Sequence, residues 1–226
     1  HDIAEEEQRD EFASVFNGEI DPKVLITTAR NPLQICYSFI QSLLPMIPKS
    51  IYYKRSEYDI REIVKYAKRR AFSDILIVKD DRNQLTTLTH IHLPNGPTAV
   101  YRLTSFVPSD DIKDHGRRTV HIPEVILNRF TTQLGHRVGR MLGALWPHRA
   151  NFEGRQAVTL HNQRDFIFFR FHRYQFNQDG SRAALQELGP RFTLKMRNLQ
   201  KGTFDEDPEY EWIRKKGMGT RTSFYL

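Results

Sequence analysis

The sequence has little of what secreted proteins and many enzymes depend on, beginning with cysteine. Cys36 is the single cysteine among 226 residues, which excludes an internal disulfide and a zinc site built from several cysteines. A lone cysteine fits a reducing, intracellular compartment. No apolar run approaches the roughly 20 residues that a membrane-spanning helix needs, and no secretory signal is visible. Because the chain begins with His1 rather than Met, we expect a fragment whose targeting signals lie upstream.

Motifs for enzymatic chemistry are also missing. The sequence contains no G-x-x-x-x-G-K-[ST] or G-x-G-x-x-G phosphate loop and no H-E-x-x-H metal motif. Asp80 with Asp81 could ligate a metal, and His161 with Asp165 could act as an acid–base pair, but acidic residues in turns more often bond their own backbone. We therefore predict no catalytic residue, no metal and no cofactor, with a metal-dependent nuclease as the weakest alternative.

Acidic residues are concentrated in the first 20 residues, and the rest of the chain is basic. Residues 1–20 contain seven acidic residues and one arginine, a balance of −6, while the whole chain carries +7, so the other 206 residues carry +13. Residues 120–204 contain thirteen Lys and Arg, five acidic residues and five histidines. A basic body behind an acidic leader indicates a nucleic-acid partner. A basic protein without such a partner is the plainer alternative.

Strands and helices alternate in the first half of the chain. The pattern predicts a strand at 23–28, a helix that starts at Asn31 and Pro32, a strand at 50–54, a helix capped by Asp59, a strand at 73–78 and a hairpin around 94–97. This alternation argues for an α/β layer fold. Cys36 falls on the apolar face of the first of these helices and is predicted to be structural. Residues 4–16 are predicted to form an acidic helical segment that docks on the body or on a partner, and residues 105–119 a linker.

One long helix is predicted over residues 123–146. On a helical wheel its apolar side carries Leu127, Phe130, Leu134, Val138, Met141 and Leu145. Its opposite side carries Arg129, Arg137 and Arg140. Gly135, Gly139 and Gly143 line the flank between them, and each costs about 1 kcal/mol of helix stability relative to Ala. We expect that they allow tight packing inside the protein, with close approach of a ligand as the alternative.

Three strands with alternating side chains follow, at 157–160, 166–176 and 192–197. In the second, Ile167, Phe169 and Phe171 share one face, while Phe168, Arg170, His172 and Tyr174 share the other. A half-buried sheet with a solvated face is the ordinary interpretation. The cations and aromatics on the polar face favour a surface for a polyanion.

Several blocks resemble one known family. They include LITTARNP, IYYKR, HLPNGPTAVYRL, HNQRDFIFFRFHRY and ELGPRFTLK, in this order within residues 23–212, and together they are similar to the Brix-domain family of ribosome assembly factors. The resemblance implies an α/β (α+β) fold of two similar halves, each a small mixed sheet packed with helices, like duplicated anticodon-binding domains. It also implies a non-enzymatic, nucleolar protein that binds pre-ribosomal RNA during rRNA processing and large-subunit assembly. The lysine-rich leader usual upstream in that family is absent from this sequence.

The resulting prediction divides the chain into an acidic segment at 1–20, an N-terminal half with linker at 21–118, a C-terminal half at 119–212 and a basic tail at 213–226. The expected partners are pre-ribosomal RNA, other large-subunit assembly factors and one dedicated protein, with no membrane and no small-molecule substrate. The alternative is a protein-interaction scaffold whose basic face docks acidic partner segments. The predicted RNA-binding residues are Arg30, Lys54, Arg55, Arg129, Arg137, Arg140, Arg155, Arg164, Arg170, His172, Arg173, Tyr174, Arg191, Lys195, Arg197 and Lys201.

Overall fold

The structure is a computed structural model that describes residues 3–217 and 223–226. Residues 218–222 of the predicted basic tail lie outside the described residues. The helices are α1 (Ile3–Glu7), α2 (Ala13–Phe16), α3 (Gln34–Leu43), α4 (Ile60–Arg69) and α5 (Gln133–Gly143). The strands are β1 (Val24–Thr28), β2 (Ser50–Tyr52), β3 (Asp74–Asp81), β4 (Gln84–His92), β5 (Thr98–Val107), β6 (Glu124–Asn128), β7 (Gln156–Gln163), β8 (Phe166–Phe176), β9 (Ala183–Glu187), β10 (Arg191–Gln200) and β11 (Tyr210–Ile213). Within the described ranges, no helix is both long and apolar enough to cross a membrane.

The chain forms two compact units, and each collects segments that are distant in sequence. Unit I comprises Pro22–Thr104 and Leu194–Phe224, and unit II comprises His1–Asp21, Ser105–Thr193 and Tyr225–Leu226. Two of the four boundaries fall inside the strands β5 and β10. The mixed strands and few helices confirm the predicted α/β fold class.

In unit I, β1 pairs in parallel with β2 on one side and with β3 on the other, and β3, β4 and β5 continue as an antiparallel meander. The helix α4 begins at a capping box, in which the Asp59 side chain accepts the Arg61 N–H and Glu62 accepts the Asp59 N–H. Its apolar side, with Val64 and Ala67, covers Leu25 and the neighbouring strand residues. A local start signal and an amphipathic pattern thus fix where α4 lies.

A buried polar cluster lies inside unit I. Asp74 is fully buried, and its Oδ1 is 2.7 Å from His90 Nε2 and 3.0 Å from His92 Nδ1. Burial alone would raise the pKa of Asp74, but the two hydrogen bonds from the histidines outweigh it and hold that pKa below its ordinary value. The cluster joins β3 to β4 through side chains as well as through the backbone ladder.

The C-terminal part of the chain completes unit I. The Thr98 hydroxyl donates to the Gly202 carbonyl at 2.8 Å. Gly96 has φ +92°, and a Cβ there would collide with the backbone of Gly202. The strand β11, which the sequence pattern did not predict, pairs antiparallel with β10. The hairpin at residues 93–97 is therefore held in place by residues about a hundred positions further along the chain.

In unit II, β6 pairs in parallel with β7, and β7, β8 and β9 are antiparallel. The turn between β7 and β8 has left-handed backbone at Arg164 (φ 53°) and Asp165 (φ 64°). Two such residues are typical of the tight turn that matches the twist of a hairpin. The apolar side chains of β8 point inward, where Phe169 stacks on Trp146 and on Phe192 at centroid distances of 6.1 and 4.4 Å.

The helix predicted over residues 123–146 is wrong in its first part. Residues 124–128 form β6, Arg129 has a left-handed φ of 63°, and the helix α5 starts only after Thr132, whose side chain accepts the Gly135 N–H at 2.9 Å. The helical wheel failed because a short apolar run fits a strand as well as a helix. The parallel partner that decides for the strand lies more than thirty residues later, in β7.

Other predicted boundaries also differ. The helix α3 begins at Gln34 with Leu33 at its N-cap, so Asn31 and Pro32 precede it. Residues 105–107 of the expected linker belong to β5, and residues 109–111 form a short 3₁₀ helix. The strand β9 lies between the predicted strands at 166–176 and 192–197, where no strand was predicted.

The three glycines of α5 pack inside unit II, as expected. A Cβ at Gly135 would lie 2.6 Å from the carbonyl carbon of Leu226. At Gly139 and Gly143 it would lie 3.1 Å from the Phe130 ring and 3.2 Å from the Phe16 ring. The contact at Gly135 needs a residue without a side chain, and at Gly139 and Gly143 the rings would have to move by a few tenths of an ångström. All three glycines therefore face tightly packed protein atoms rather than an open ligand site.

Candidate nucleic-acid interface

The solvent-facing side of the unit II sheet carries aromatic and cationic side chains along β8. The strand alternates as predicted, with Ile167, Phe169 and Phe171 buried. Phe168, Arg170, His172, Tyr174 and the flanking Phe166 and Phe176 point to the other side. We call this side the outer face; it includes the residues paired with them on β7 and β9, Thr159 and His161, Leu185 and Glu187.

Aromatic rings on the outer face are accessible at both ends of β8. Phe166 and Phe176 are 37% and 55% exposed, although both are large apolar side chains. Phe166 lies 6.5 Å from Phe168, and Phe176 lies 5.6 Å from Tyr174, between ring centroids. The Arg170 guanidinium lies over the Phe168 ring at 5.8 Å. Exposed rings beside cations can stack on unpaired bases.

The charges of the outer face are organised around one carboxylate. Glu187 receives two hydrogen bonds from Arg191, both of 2.8 Å. Burial opposes ionisation of Glu187, but Arg191, Arg170 and His172 outweigh it and lower its pKa. Partial burial lowers the pKa of His172, and Arg170 and Arg191 add to that shift while Glu187 opposes it. Burial and the neighbouring arginines thus disfavour the charged form of His172, and the arginines carry positive charge on this face.

Glu124 also lies beside this face. Its carboxylate accepts a hydrogen bond from the Tyr174 hydroxyl and raises the pKa of Tyr174. Arg155 is exposed, precedes β7 directly and is close enough to Tyr174 to lower that pKa in part. Each of the two acidic residues therefore has a specific partner: Glu124 accepts from Tyr174, and Glu187 engages Arg191.

The cations of α5 are engaged by the acidic N-terminal segment of the same unit. Arg140 forms a two-pronged ion pair with Asp10, at 2.6 and 2.9 Å, and its side chain is only 11% exposed. Arg137 forms another with Glu11, at 2.9 and 3.0 Å. His136 Nδ1 lies 2.7 Å from Glu7, and Gln133 donates to Glu6 at 2.9 Å. Four successive contacts therefore match this segment to one side of α5.

Apolar anchors hold the same segment in place. Phe12 and Val15 are 0% and 1% exposed, and the Arg140 guanidinium lies 4.3 Å above the Phe16 ring. Further along, Arg149 forms a two-pronged pair with Asp21. The acidic segment is thus a packed part of unit II, and Arg137 and Arg140 contact its carboxylates in this structure.

The structure disperses the remaining predicted RNA-binding residues. In unit II, Arg129, Arg155 and Arg164 are exposed, Arg173 is half-buried on the side of β8 opposite the outer face, and Arg191 is paired with Glu187. In unit I, Arg30, Lys54, Arg197 and Lys201 are exposed, Lys195 is half-buried, Arg55 is buried, and Lys201 pairs with Glu209. Arg55 donates from Nε to the Tyr58 carbonyl at 2.8 Å, so it has a structural role.

Three of the four side chains considered for catalysis, those of Asp80, His161 and Asp165, have structural partners, and Asp81 is exposed. Asp80 Oδ1 accepts the Leu33 N–H and the Cys36 thiol, each at 3.1 Å. His161 Nδ1 lies 2.9 Å from the Asn128 amide nitrogen. Asp165 Oδ1 accepts the N–H groups of Tyr225 and Leu226. In residues 3–217 and 223–226, no group of three or more His, Cys, Asp or Glu side chains could hold a metal ion.

The family is decided by a match over most of the chain. The Brix domain matches residues 29–198. This chain belongs to the Brix-domain family.

Relatives within the family extend over nearly all of the chain. A probable ribosome production factor 1 of Drosophila melanogaster is 49% identical over 230 residues, which is 100% of this chain and 58% of that protein. Ribosome production factor 1 of Mus musculus is 47% identical over 100% of this chain and 65% of its own length, and that of Saccharomyces cerevisiae is 44% identical over 98% and 75%. The chain therefore spans about three fifths of the length of the first two of these proteins.

A solved structure supports the Brix fold independently of close sequence similarity. The crystal structure of a probable ribosomal biogenesis protein from Aeropyrum pernix K1 matches with a TM-score of 0.54 at 14% identity. The match covers 83% of this chain and 99% of that one. At this identity the comparison concerns the fold alone.

Sequence reasoning missed some residues of this Brix chain that the structure brings together. Phe166 and Phe176 were assigned to a strand but not to a site, although FIFF and YQF mark aromatics at both strand ends. Tyr53, Tyr58 and Tyr66 were not singled out, and they meet in unit I only because a loop returns to α4. The clustering of tyrosines and cations in YYKRSEYD was the available signal.

Proposed function

We propose that this chain is a non-enzymatic ribosome assembly factor that binds pre-ribosomal RNA through the outer face of unit II. The observation that carries the proposal is the row of Phe166, Phe168, Arg170, Tyr174 and Phe176 on one exposed side of β8. The ribosome production factor names of the relatives support the process in which it acts. Its work in the nucleolus, on rRNA processing and on the large subunit belongs to the same proposal, as do further assembly factors as partners.

In the proposed RNA binding, aromatic rings stack on bases and guanidinium groups contact phosphates. Each base stacked on an exposed aromatic ring contributes about 1–3 kcal/mol, largely independent of sequence. Arg155 and Arg170 supply phosphate contacts, which make the affinity salt-dependent. The ion pair with Arg191 offsets the charge of Glu187, and Glu124 fixes the Tyr174 hydroxyl by accepting its hydrogen bond. The face thus suits unpaired RNA segments better than a regular duplex.

A second candidate function is favoured by α5. Its basic side already binds an acidic segment through Asp10 and Glu11. A partner protein with a similar acidic segment could use the same recognition, as a protein-interaction scaffold would require. This candidate predicts partner binding that Arg137→Ala and Arg140→Ala weaken and that changes on the outer face leave intact.

The proposal is tested by RNA binding across a salt series with unpaired and structured pre-ribosomal RNA. Arg155→Ala/Arg170→Ala is compared with Lys65→Ala/Lys68→Ala, which removes two exposed charges from α4 in unit I. If both arginines contact phosphates, the slope of log affinity against log salt should shrink by about 1.4 to 1.8, and the control should change it much less. Equal losses in both variants would mean that net charge alone determines binding, and the proposed face would be wrong.

A further inference from the structure

Unit I contains an apolar pocket that lies outside the outer face. Its volume is about 360 Å³, and it is bounded by the end of β1, the loop at residues 53–58 and the first turns of α4. Tyr53, Tyr58 and Tyr66 form aromatic walls around it. The volume falls in the range of about 300–1,000 Å³ that is typical of small-ligand pockets. Pockets beyond the carboxyl ends of parallel strands are a common ligand position in open α/β sheets.

A buried hydroxyl lines this pocket without a partner. Thr27 is 1% exposed, and among the described residues its Oγ1 has no hydrogen-bond partner. Thr27 lies two residues after Leu25 on β1, so both line the pocket from the same side of the strand. A buried polar atom without a partner costs about 1–3 kcal/mol. The Thr27 hydroxyl therefore marks the point where the polar edge of a ligand would be recognised.

Contacts within the protein hold the aromatic walls of the pocket in place. The Tyr66 hydroxyl donates to the Tyr53 hydroxyl at 3.2 Å, and the two rings meet edge to face at a centroid distance of 5.5 Å. The buried Arg55 side chain holds the loop by donating to the Tyr58 carbonyl. A preformed pocket loses little freedom when it binds a ligand.

We propose that this pocket receives the base of an unpaired nucleotide, an inference that rests on the proposed function of RNA binding. A base is flat enough to stack on tyrosines, and the donors and acceptors on its edge can satisfy Thr27. Lys54 is exposed at the pocket, where its ammonium group can meet the attached phosphate.

Other occupants fit less well. An aliphatic or phenyl side chain of a partner protein would leave the Thr27 hydroxyl unpaired. A cationic side chain would find only the Glu62 carboxylate, which already accepts the Asp59 N–H at 2.8 Å. Of the occupants compared, the nucleobase is the one that uses both the rings and the hydroxyl.

The test is a titration of the whole chain with uridine and adenosine monophosphates, followed by calorimetry or ligand-observed NMR. Tyr58→Ala should weaken binding at least about fivefold, the lower end of the stacking contribution of one ring. Thr27→Val should weaken it about threefold or more through the lost hydrogen bond, and Thr27→Ser should restore it. Tyr58 is 61% exposed and the Thr27 hydroxyl is unpartnered, so neither change should lower the thermal midpoint.

The proposed nucleotide site would be wrong if Tyr58→Ala and Thr27→Val left the affinity for the monophosphates unchanged. It would also be wrong if N-acetylphenylalanine amide displaced the nucleotide at concentrations lower than that of the nucleotide itself. The Arg155→Ala/Arg170→Ala variant separates the two proposals. If RNA binding depends on these arginines but the monophosphates do not bind, only the pocket is wrong. If the monophosphates bind through Tyr58 but RNA binding is insensitive to the arginines, the pocket stands and the outer face is wrong.

Discussion

Cys36 shows how the surroundings of one residue decide its chemistry. Its thiol is fully buried and donates to Asp80 Oδ1 at 3.1 Å. Burial, followed by the hydrogen bond and the charge of Asp80, raises the pKa of this thiol to about 12. Because the thiolate is the reactive form, we expect native Cys36 to resist a thiol-specific chromogenic reagent and to react only after denaturant is added. Rapid labelling of the native protein would contradict this account of α3.

The buried Asp74 should make the stability of the protein depend on pH. Its pKa lies below the ordinary value of about 3.9, so the unfolded chain binds the proton more readily and stability falls as the pH falls through that range. Asp74→Ala should therefore lower the free energy of unfolding by about 3 kcal/mol or more near neutral pH. The free energy of unfolding of this variant should also depend less on pH below about 4 than that of the unchanged protein.

Urea denaturation from pH 3 to pH 7 checks this prediction, with Asp81→Ala as control because that carboxylate is exposed. Equal effects of the two substitutions would mean that the pairs with His90 and His92 contribute little.

At the scale of elements, the acidic segment and α5 behave as one structure. Replacing Glu7, Asp10 and Glu11 by Gln, Asn and Gln removes the carboxylates that hold His136, Arg140 and Arg137. Arg137 then becomes available to phosphates while Arg140 stays largely buried. RNA affinity should therefore rise, and the salt slope should steepen by about 0.7 to 0.9. The thermal midpoint should fall, because the Asp10–Arg140 pair is largely buried.

The matched control is Asp110→Asn/Asp111→Asn/Asp114→Asn, which removes three exposed carboxylates elsewhere in unit II. Fluorescence anisotropy at several salt concentrations measures both variants. If the two triple variants gain the same affinity for RNA, the gain reflects net charge alone. The acidic segment would then not be covering an anion-binding side of α5.

Local sequence signals correctly predicted the helices and strands in which they lie. Elements that depend on pairing with strands distant in sequence were not predicted correctly. Asp59 marked the start of α4 through its cap, and the alternation in residues 166–176 identified both faces of β8 correctly. The strand β6 was mistaken for a helix because its partner β7 is distant in sequence. The contacts of Arg137 and Arg140 were not foreseen, since a helical wheel shows which residues share a side but not what covers it.

At the scale of the whole molecule, the proposed function depends on which surface would meet RNA. Each unit offers one candidate: the outer face of β8 in unit II and the tyrosine pocket in unit I. The residues that define them are aromatic side chains with neighbouring cations, a combination that binds RNA without a catalytic group. The family assignment is consistent with this arrangement but leaves the location of the interface to experiment.

Photochemical crosslinking of RNA to protein in purified pre-ribosomal particles, with the modified peptides identified by mass spectrometry, tests the central claim most directly. We expect nucleotide adducts within β8, on Phe168, Tyr174 or their immediate neighbours. Phe166→Ala/Phe176→Ala should reduce these adducts without unfolding the protein, because both rings are exposed. Adducts confined to other segments, with β8 unmodified in the same particles, would contradict the central claim.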